Sequence, residues 1–145
     1  FMSALDEGRI GVAAVALGTA EGAFERSVAY SKEREQFGKP ICKFQAIAFY
    51  LADMATQIEA SRAMLYNTAA MRDAGKPFSK EAAMCKLFCG EMAVWVADRA
   101  IQIHGGNGYI QDFGIERFWR DARALTIGEG TSEVQKIVIS GHILR

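Results

Sequence analysis

The sequence predicts an all-α protein, an up-and-down four-helix bundle with an additional short helix and a C-terminal helix. Three observations carry this expectation. Long stretches repeat apolar residues at spacings of three, four and seven, with almost no alternation of period two. Small residues crowd into the same stretches and allow helix axes to approach closely. The breaks between them are short and built on glycine and proline, so neighbouring long helices pack antiparallel.

The first helical pattern covers about residues 4–32 and is rich in Gly11, Ala13, Ala14, Ala16, Gly18 and Ala20. It ends before Phe37-Gly38-Lys39-Pro40, a turn signal, because proline fixes φ and lacks a backbone donor. The second pattern covers about residues 44–74 and places Phe44, Ile47, Leu51, Met54, Ile58 and Leu65 on one face. Gly75-Lys76-Pro77 stops it. Ser79 is a candidate N-cap for the third helix, its hydroxyl able to accept an N–H of the first turn. In that helix Ala83, Leu87, Gly90, Val94, Ala97 and Ile101 alternate large and small along one stripe. It ends at Gly105-Gly106, since glycine tolerates the left-handed C-terminal conformation, and residues 105–109 are expected to form a loop. A short helix is expected over residues 115–124 and a last one over about 132–144. Thr131 or Ser132 can cap the last helix, with Glu133 near its positive end.

The 145 residues fit one domain, 1–145, with enough chain to bury a sizeable core. Lys plus Arg equals Asp plus Glu at 17 each, which gives no electrostatic case for nucleic acid or an anionic membrane surface. No segment reaches the roughly 18 uninterrupted apolar residues that a membrane span needs. The start, Phe1 to Leu5, has neither the basic region nor the apolar run of a secretion signal, and reads as a cut made inside a longer chain. Cys42, Cys85 and Cys89 are an odd count in a domain with an ample core, which argues for reduced thiols in an intracellular compartment. No metal site is expected, because neither His104 nor His142 forms a ligand motif with Cys85 and Cys89.

Three polar segments interrupt the bundle. In Lys32-Glu33-Arg34-Glu35-Gln36-Phe37-Gly38, Arg34 can fork onto a phosphate or carboxylate, and Phe37 can cover a planar ring. The same segment is also what a solvated helix end looks like. Gln102-Ile103-His104-Gly105-Gly106-Asn107-Gly108-Tyr109 lets backbone lie flat against a ligand, yet reads equally as a helix C-cap and turn. The third segment is Ile127-Gly128-Glu129-Gly130-Thr131-Ser132-Glu133. Glu129, between two glycines at a helix entrance, is either an acid stabilising a helix N-terminus or a carboxylate presented to a ligand.

In this order the segments resemble the C-terminal domain of an acyl-CoA dehydrogenase. The residues that carry the resemblance are Leu5-Asp6-Glu7-Gly8-Arg9, Arg34 to Pro40, Gln45, Gln102 to Tyr109, Arg120-Asp121-Ala122-Arg123 and Glu129 to Glu133, and it spans essentially the whole chain. Residues 139–145 are most similar to the short-chain, butyryl-CoA type. The resemblance implies an FAD-dependent oxidation of an acyl-CoA to the trans-2-enoyl-CoA. Glu129 would take the α-proton while the β-hydrogen leaves as hydride to flavin N5. It also implies FAD contacts from Arg34, Gln36, Phe37, Gln45, Thr131 and Glu133, and contacts from Gln102, Ile103, His104, Gly105 and Gly106 to the FAD of a neighbouring subunit. Asp6 and Arg9 would lie by the acyl-CoA and Gly130 at the thioester. Partners so implied are a second copy of the chain, in a dimer or tetramer sharing FAD, and an electron-transfer flavoprotein. The setting would be cytoplasmic in a bacterium and the mitochondrial matrix in a eukaryote.

Two positions depart from common family patterns. Gly128 stands where many members carry tyrosine, and Gly8 stands where other branches carry their base. Glu7 is one residue away, about 100° around the helix, so Glu129 is favoured. The family's N-terminal helical and middle β domains are missing from these 145 residues, so the domain alone is expected to be inactive. A helical association module without catalysis and an acyl-CoA oxidase are the alternative readings.

Overall fold

The computed structural model describes residues 2–145, with side chains from Leu5 onward; Phe1, on which part of the reading of the chain's start rests, lies outside the described residues. The architecture is all-α, as expected. Helix α1 spans Met2–Glu33, α2 Gln45–Asp73, α3 Ser79–His104, α4 Gly106–Tyr109, α5 Glu116–Leu125 and α6 Ser132–Ile143. Helix α3 is the axis of the assembly: α1 packs along it most extensively, α2, α5 and α6 also lie against it, and α5 reaches α1 as well. No helix among the described residues is long and apolar enough to cross a membrane.

The helical period decides which small residues matter. On α1, Ala13, Ala16, Ala20 and Ala23 are fully buried, whereas Gly11, Ala14 and Gly18 face solvent. The seam is thus narrower than the list of small residues in the sequence suggested, because only positions about one turn apart share a face. On α2 the expected face holds: Met54, Ile58 and Leu65 are buried, and Phe44, Ile47 and Leu51 pack against the core. Helix α3 differs from the single stripe expected of it. Its buried residues run from Ala82 and Ala83 through Cys85, Lys86, Cys89, Met92, Val96 and Ala100 to His104, and only Glu91, Asp98 and Gln102 are exposed. Spaced seven and four apart, these three form one narrow polar strip on a helix otherwise covered. Cys85 and Cys89 are buried as small apolar residues, while Cys42 is half-buried.

The connections show three local differences. Arg34 to Pro40 forms a two-residue hairpin, with strand β1 at Glu35–Gln36 paired antiparallel to β2 at Lys39–Pro40. Phe37 and Gly38 take φ of +53° and +78°, the left-handed pair that a tight hairpin turn demands. Ser79 is the first residue of α3 rather than its cap; Phe78 holds the cap position without a side-chain bond, and the Ser79 hydroxyl donates to Asp6 Oδ1 at 3.1 Å. The expected loop at 105–109 is instead one helical turn, α4. A β-carbon on Gly108 would stand 2.7 Å from the Ile101 carbonyl oxygen, so glycine there is what lets this turn fold back onto α3.

The alanine seam between α1 and α3 gives a stability prediction. Ala16→Leu adds volume where no space exists and is expected to cost about 1–3 kcal/mol, read as a lower urea midpoint with an unchanged slope.

Candidate active site

At the N-terminal end of α3, three helices meet beneath the connection from α5 to α6. The turn at Ile127, Gly128 and Glu129 follows α5, where the Ala124 carbonyl accepts the N–H groups of both Ile127 and Gly128. Glu129 then adopts φ +55° and Gly130 φ +92°. A left-handed glutamate is a strained choice that surrounding contacts must hold in place. Thr131 closes the turn and caps α6, its Oγ1 accepting from the Val134 N–H at 3.4 Å. This resolves the cap between the two expected residues in favour of Thr131. Glu133 is exposed in the first turn of α6, and the N–H of Glu133 and the Thr131 hydroxyl hold its carboxyl below the usual glutamate range.

The Glu129 side chain leans across α1. A β-carbon on Gly8 would stand 2.9 Å from Glu129 Oε2, so the absence of a side chain at Gly8 is what admits the carboxylate. On either side of Gly8 in the same helix, Asp6 and Arg9 are both buried and form an ion pair at 2.6 Å, with Ser79 as a further partner of Asp6. Asp6 and Arg9 of α1 and Glu129 and Gly130 of the α5–α6 connection are therefore neighbours at one end of the bundle.

Two residues at this end were not foreseen. Lys86 is buried within α3, and its Nζ donates to the Gly130 carbonyl at 2.6 Å. Burial, and then the nearby Arg9 cation, push its ammonium below the usual lysine range, with the Glu129 carboxylate opposing. Gln135 of α6 donates to the carbonyls of Glu129 and Gly130 at 3.1 and 2.9 Å. A signal for Lys86 was present: it lies three and four residues from Ala82, Ala83, Cys89 and Gly90, a cation on an otherwise apolar stripe. Gln135 carried none, since polar residues are ordinary on a terminal helix.

The other end of α3 holds a groove of about 450 Å³ where the two remaining segments meet. Arg34, Gln36 and Phe37 line one side and Gln102 to Gly106 the other. Phe37 is 92% exposed, its ring edge-on to Phe44 at 6.1 Å. His104 is buried; its Nδ1 lies 2.8 Å from the Ala100 carbonyl and its ring stacks on Tyr30 at 4.2 Å. Asn107 donates to the Tyr30 hydroxyl at 3.0 Å, so Tyr30 is a further groove residue that no local pattern announced. Gln45 is exposed at the start of α2 and does not line this groove. An arginine fork, an exposed aromatic ring and a glycine-flanked backbone are a donor set suited to a phosphate-bearing, planar cofactor. Among the described residues no cluster of His, Cys, Asp and Glu could hold a metal ion.

Residues 1–144 match the family described as acyl-CoA dehydrogenase, C-terminal domain. A probable acyl-CoA dehydrogenase of Bacillus subtilis is 52% identical over 145 residues, 100% of this chain and 38% of that protein. An acryloyl-CoA reductase (NADH) of Anaerotignum propionicum is 54% identical over 99% of this chain and 36% of its own. The solved structure of butyryl-CoA dehydrogenase from Megasphaera elsdenii superimposes with a TM-score of 0.98 at 51% identity, over 99% of this chain and 38% of that one. The chain thus spans little more than a third of the length of these relatives.

The groove yields a pH prediction. Burial holds the His104 ring below its ordinary value of 6.5, against the opposing bond to Ala100. As pH falls through 6.5 the unfolded ring takes a proton that the folded one still refuses. Stability is therefore fullest above that pH and declines below it, down to the folded value. The thermal midpoint is expected to fall between about pH 7.5 and 5.5, and His104→Gln to flatten that slope.

Proposed function

Because the chain belongs to the acyl-CoA dehydrogenase family, as its C-terminal domain, we propose that it supplies the proton-abstracting base of an enzyme that oxidises a short-chain acyl-CoA to the trans-2-enoyl-CoA. The observation that carries this reading is the placement of Glu129. Its carboxylate is exposed, held in a left-handed turn and laid over Gly8, beside the buried Asp6–Arg9 pair. In this reading Glu129 accepts the α-proton of the thioester, and its backbone N–H stabilises the oxygen on which charge develops. Asp6, Arg9 and Gly130 line the approach of the acyl-CoA. FAD, when bound, supplies the hydride acceptor at N5 for the β-hydrogen. Thr131 and Glu133 at the entrance of α6 are further proposed contacts to it.

The groove at the far end of α3 supports cofactor sharing. Arg34, Gln36 and Phe37 would meet the FAD pyrophosphate and ring systems, with Gln102 to Gly106 opposite. Lys86, which touches the Glu129 turn, and His104, which lines the groove, are roughly 27 Å apart along α3 at about 1.5 Å per residue. One copy of the chain would then attend to the reacting end of one FAD and the adenosine diphosphate end of another, which makes self-association part of cofactor binding. Gln45 would reach FAD only from outside the groove. The rest of the catalytic surroundings would come from the family's N-terminal and middle domains, and an electron-transfer flavoprotein is the proposed acceptor of the electrons.

A second reading concerns direction. The 54%-identical relative is named as a reductase acting with NADH. The same carboxylate that removes an α-proton returns it when the reaction runs backward, so Glu129 serves either direction.

In the full-length protein, Glu129→Gln is expected to retain FAD and to slow its bleaching by butyryl-CoA by at least about 10²-fold, the scale of a lost general base. Bleaching at the unaltered rate would remove Glu129 from the mechanism. Titrating the unaltered enzyme with acyl-CoAs of increasing length, then with the enoyl-CoA, reads chain preference and direction from the same visible spectrum. Gly128 bears on the first of these. A β-carbon there would meet only the Ala124 carbonyl, at 3.6 Å, so nothing within this domain demands a glycine and the wall it omits faces outward.

A further inference from the structure

The Glu129–Gly130 turn stands on two buried polar side chains that the reading above leaves without a task. Lys86 is 1% exposed and Gln135 0%. An ammonium and an amide are expensive to bury, and such groups persist where they are bonded. Among the described residues the hydrogen-bond acceptor of Lys86 Nζ is the Gly130 carbonyl, at 2.6 Å. Gln135 Nε2 donates to the same carbonyl at 2.9 Å and to that of Glu129 at 3.1 Å. Three donor bonds thus converge on two successive carbonyls, both belonging to residues with left-handed φ.

The consequence for the other side of the turn is geometric. In a trans peptide the N–H points opposite to the carbonyl of the preceding residue. Drawing the Glu129 and Gly130 carbonyls toward the core therefore turns the N–H groups of Gly130 and Thr131 outward. Among the described residues neither of these N–H groups, nor that of Glu129, donates to a backbone carbonyl. The turn is anchored from within, and its Gly130 and Thr131 N–H groups point away from the anchoring side chains.

We propose that Lys86 and Gln135 are positioning residues for the proton-abstracting carboxylate, clamping the Glu129 and Gly130 carbonyls so that the carboxylate stays over Gly8 and the turn's N–H groups face the thioester. The proposal rests on the reading of Glu129 as the base. Lys86 supplies a charged donor from α3 and Gln135 a forked contact from α6, so the geometry of the base is set by how those helices dock. A displacement of about 1 Å at a reacting group is enough to cost on the order of 10²-fold in rate.

The test uses the full-length holoenzyme and compares Lys86→Met, Gln135→Met and Glu129→Gln. Four quantities are read: FAD content, thermal midpoint, affinity for a non-oxidisable thioether analogue of the acyl-CoA, and the single-turnover rate of flavin bleaching at saturating butyryl-CoA. The clamp predicts that Lys86→Met bleaches on the order of 10²-fold slower at near-normal FAD content and analogue affinity. Gln135→Met should lose rate in the same way, and the double variant should lose less than the product of the two single losses, because both act on one turn. Bleaching of Lys86→Met at the unaltered rate overturns the proposal, as does a loss of analogue affinity that matches the loss of rate. If Lys86→Met does not fold, Gln135→Met, which keeps the volume and removes both amide bonds, decides by the same criteria. Glu129→Gln separates the two ideas: normal bleaching in that variant removes the base itself, whereas a dead Glu129→Gln beside a normal Lys86→Met removes only the clamp.

Discussion

Helix α3 is enclosed by α1, α2, α5 and α6, and that enclosure governs most of what the other elements can do. A helix with neighbours on nearly every side must be lined with small residues, and Ala82, Ala83, Ala93, Ala97 and Ala100 are fully buried along it. Close approach gains dispersion contact but leaves no route to water for polar side chains. Any polar residue of α3 outside the exposed strip of Glu91, Asp98 and Gln102 has to find its partner inside the protein. Lys86 finds the Gly130 carbonyl and His104 finds the Ala100 carbonyl. These two residues stand near opposite ends of the helix, and each belongs to one of the two functional regions.

The placement of Glu129 is consequently a product of packing rather than of a motif on one element. Glu129 belongs to a turn, its neighbour Gly8 to α1, and its anchors to α3 and α6. A turn of this kind would wander if left to its own backbone preferences, since a left-handed glutamate is unfavourable in isolation. Three helices over-determine it. The groove follows the same logic at the other end: a two-residue hairpin after α1 and the folded-back turn α4 after α3 face each other because α1 and α3 run side by side.

The helices were legible because they depend on local periodicity and on breakers. Gly75-Lys76-Pro77 and the glycines after His104 end α2 and α3 where the pattern said they would, since a residue that cannot continue a helix acts through its own backbone. Legibility failed where a partner distant in sequence outweighed a local preference. Ser79 had the chemistry of a cap, but its hydroxyl bonds Asp6 across the bundle. Residues 105–109 had the composition of a loop, yet the space beside Ile101 admits one more helical turn. Gln45 is exposed beside the groove rather than in it, because Phe44 and Ile47 are the residues of this stretch that line it.

The sequence by itself determined the helical class, the order of the polar segments and Glu129 as the acid to suspect, because residue type, period and motif order are properties of the chain read in one dimension. Only the tertiary structure decided that Asp6, Arg9 and Glu129 share one end, that Arg34 and His104 share the other, and that Lys86 and Gln135 lie beneath the Glu129 turn. The physical reason is that these contacts join residues far apart along the chain. Burial and the bonds that burial requires come into being only when the helices dock, and no local preference encodes them.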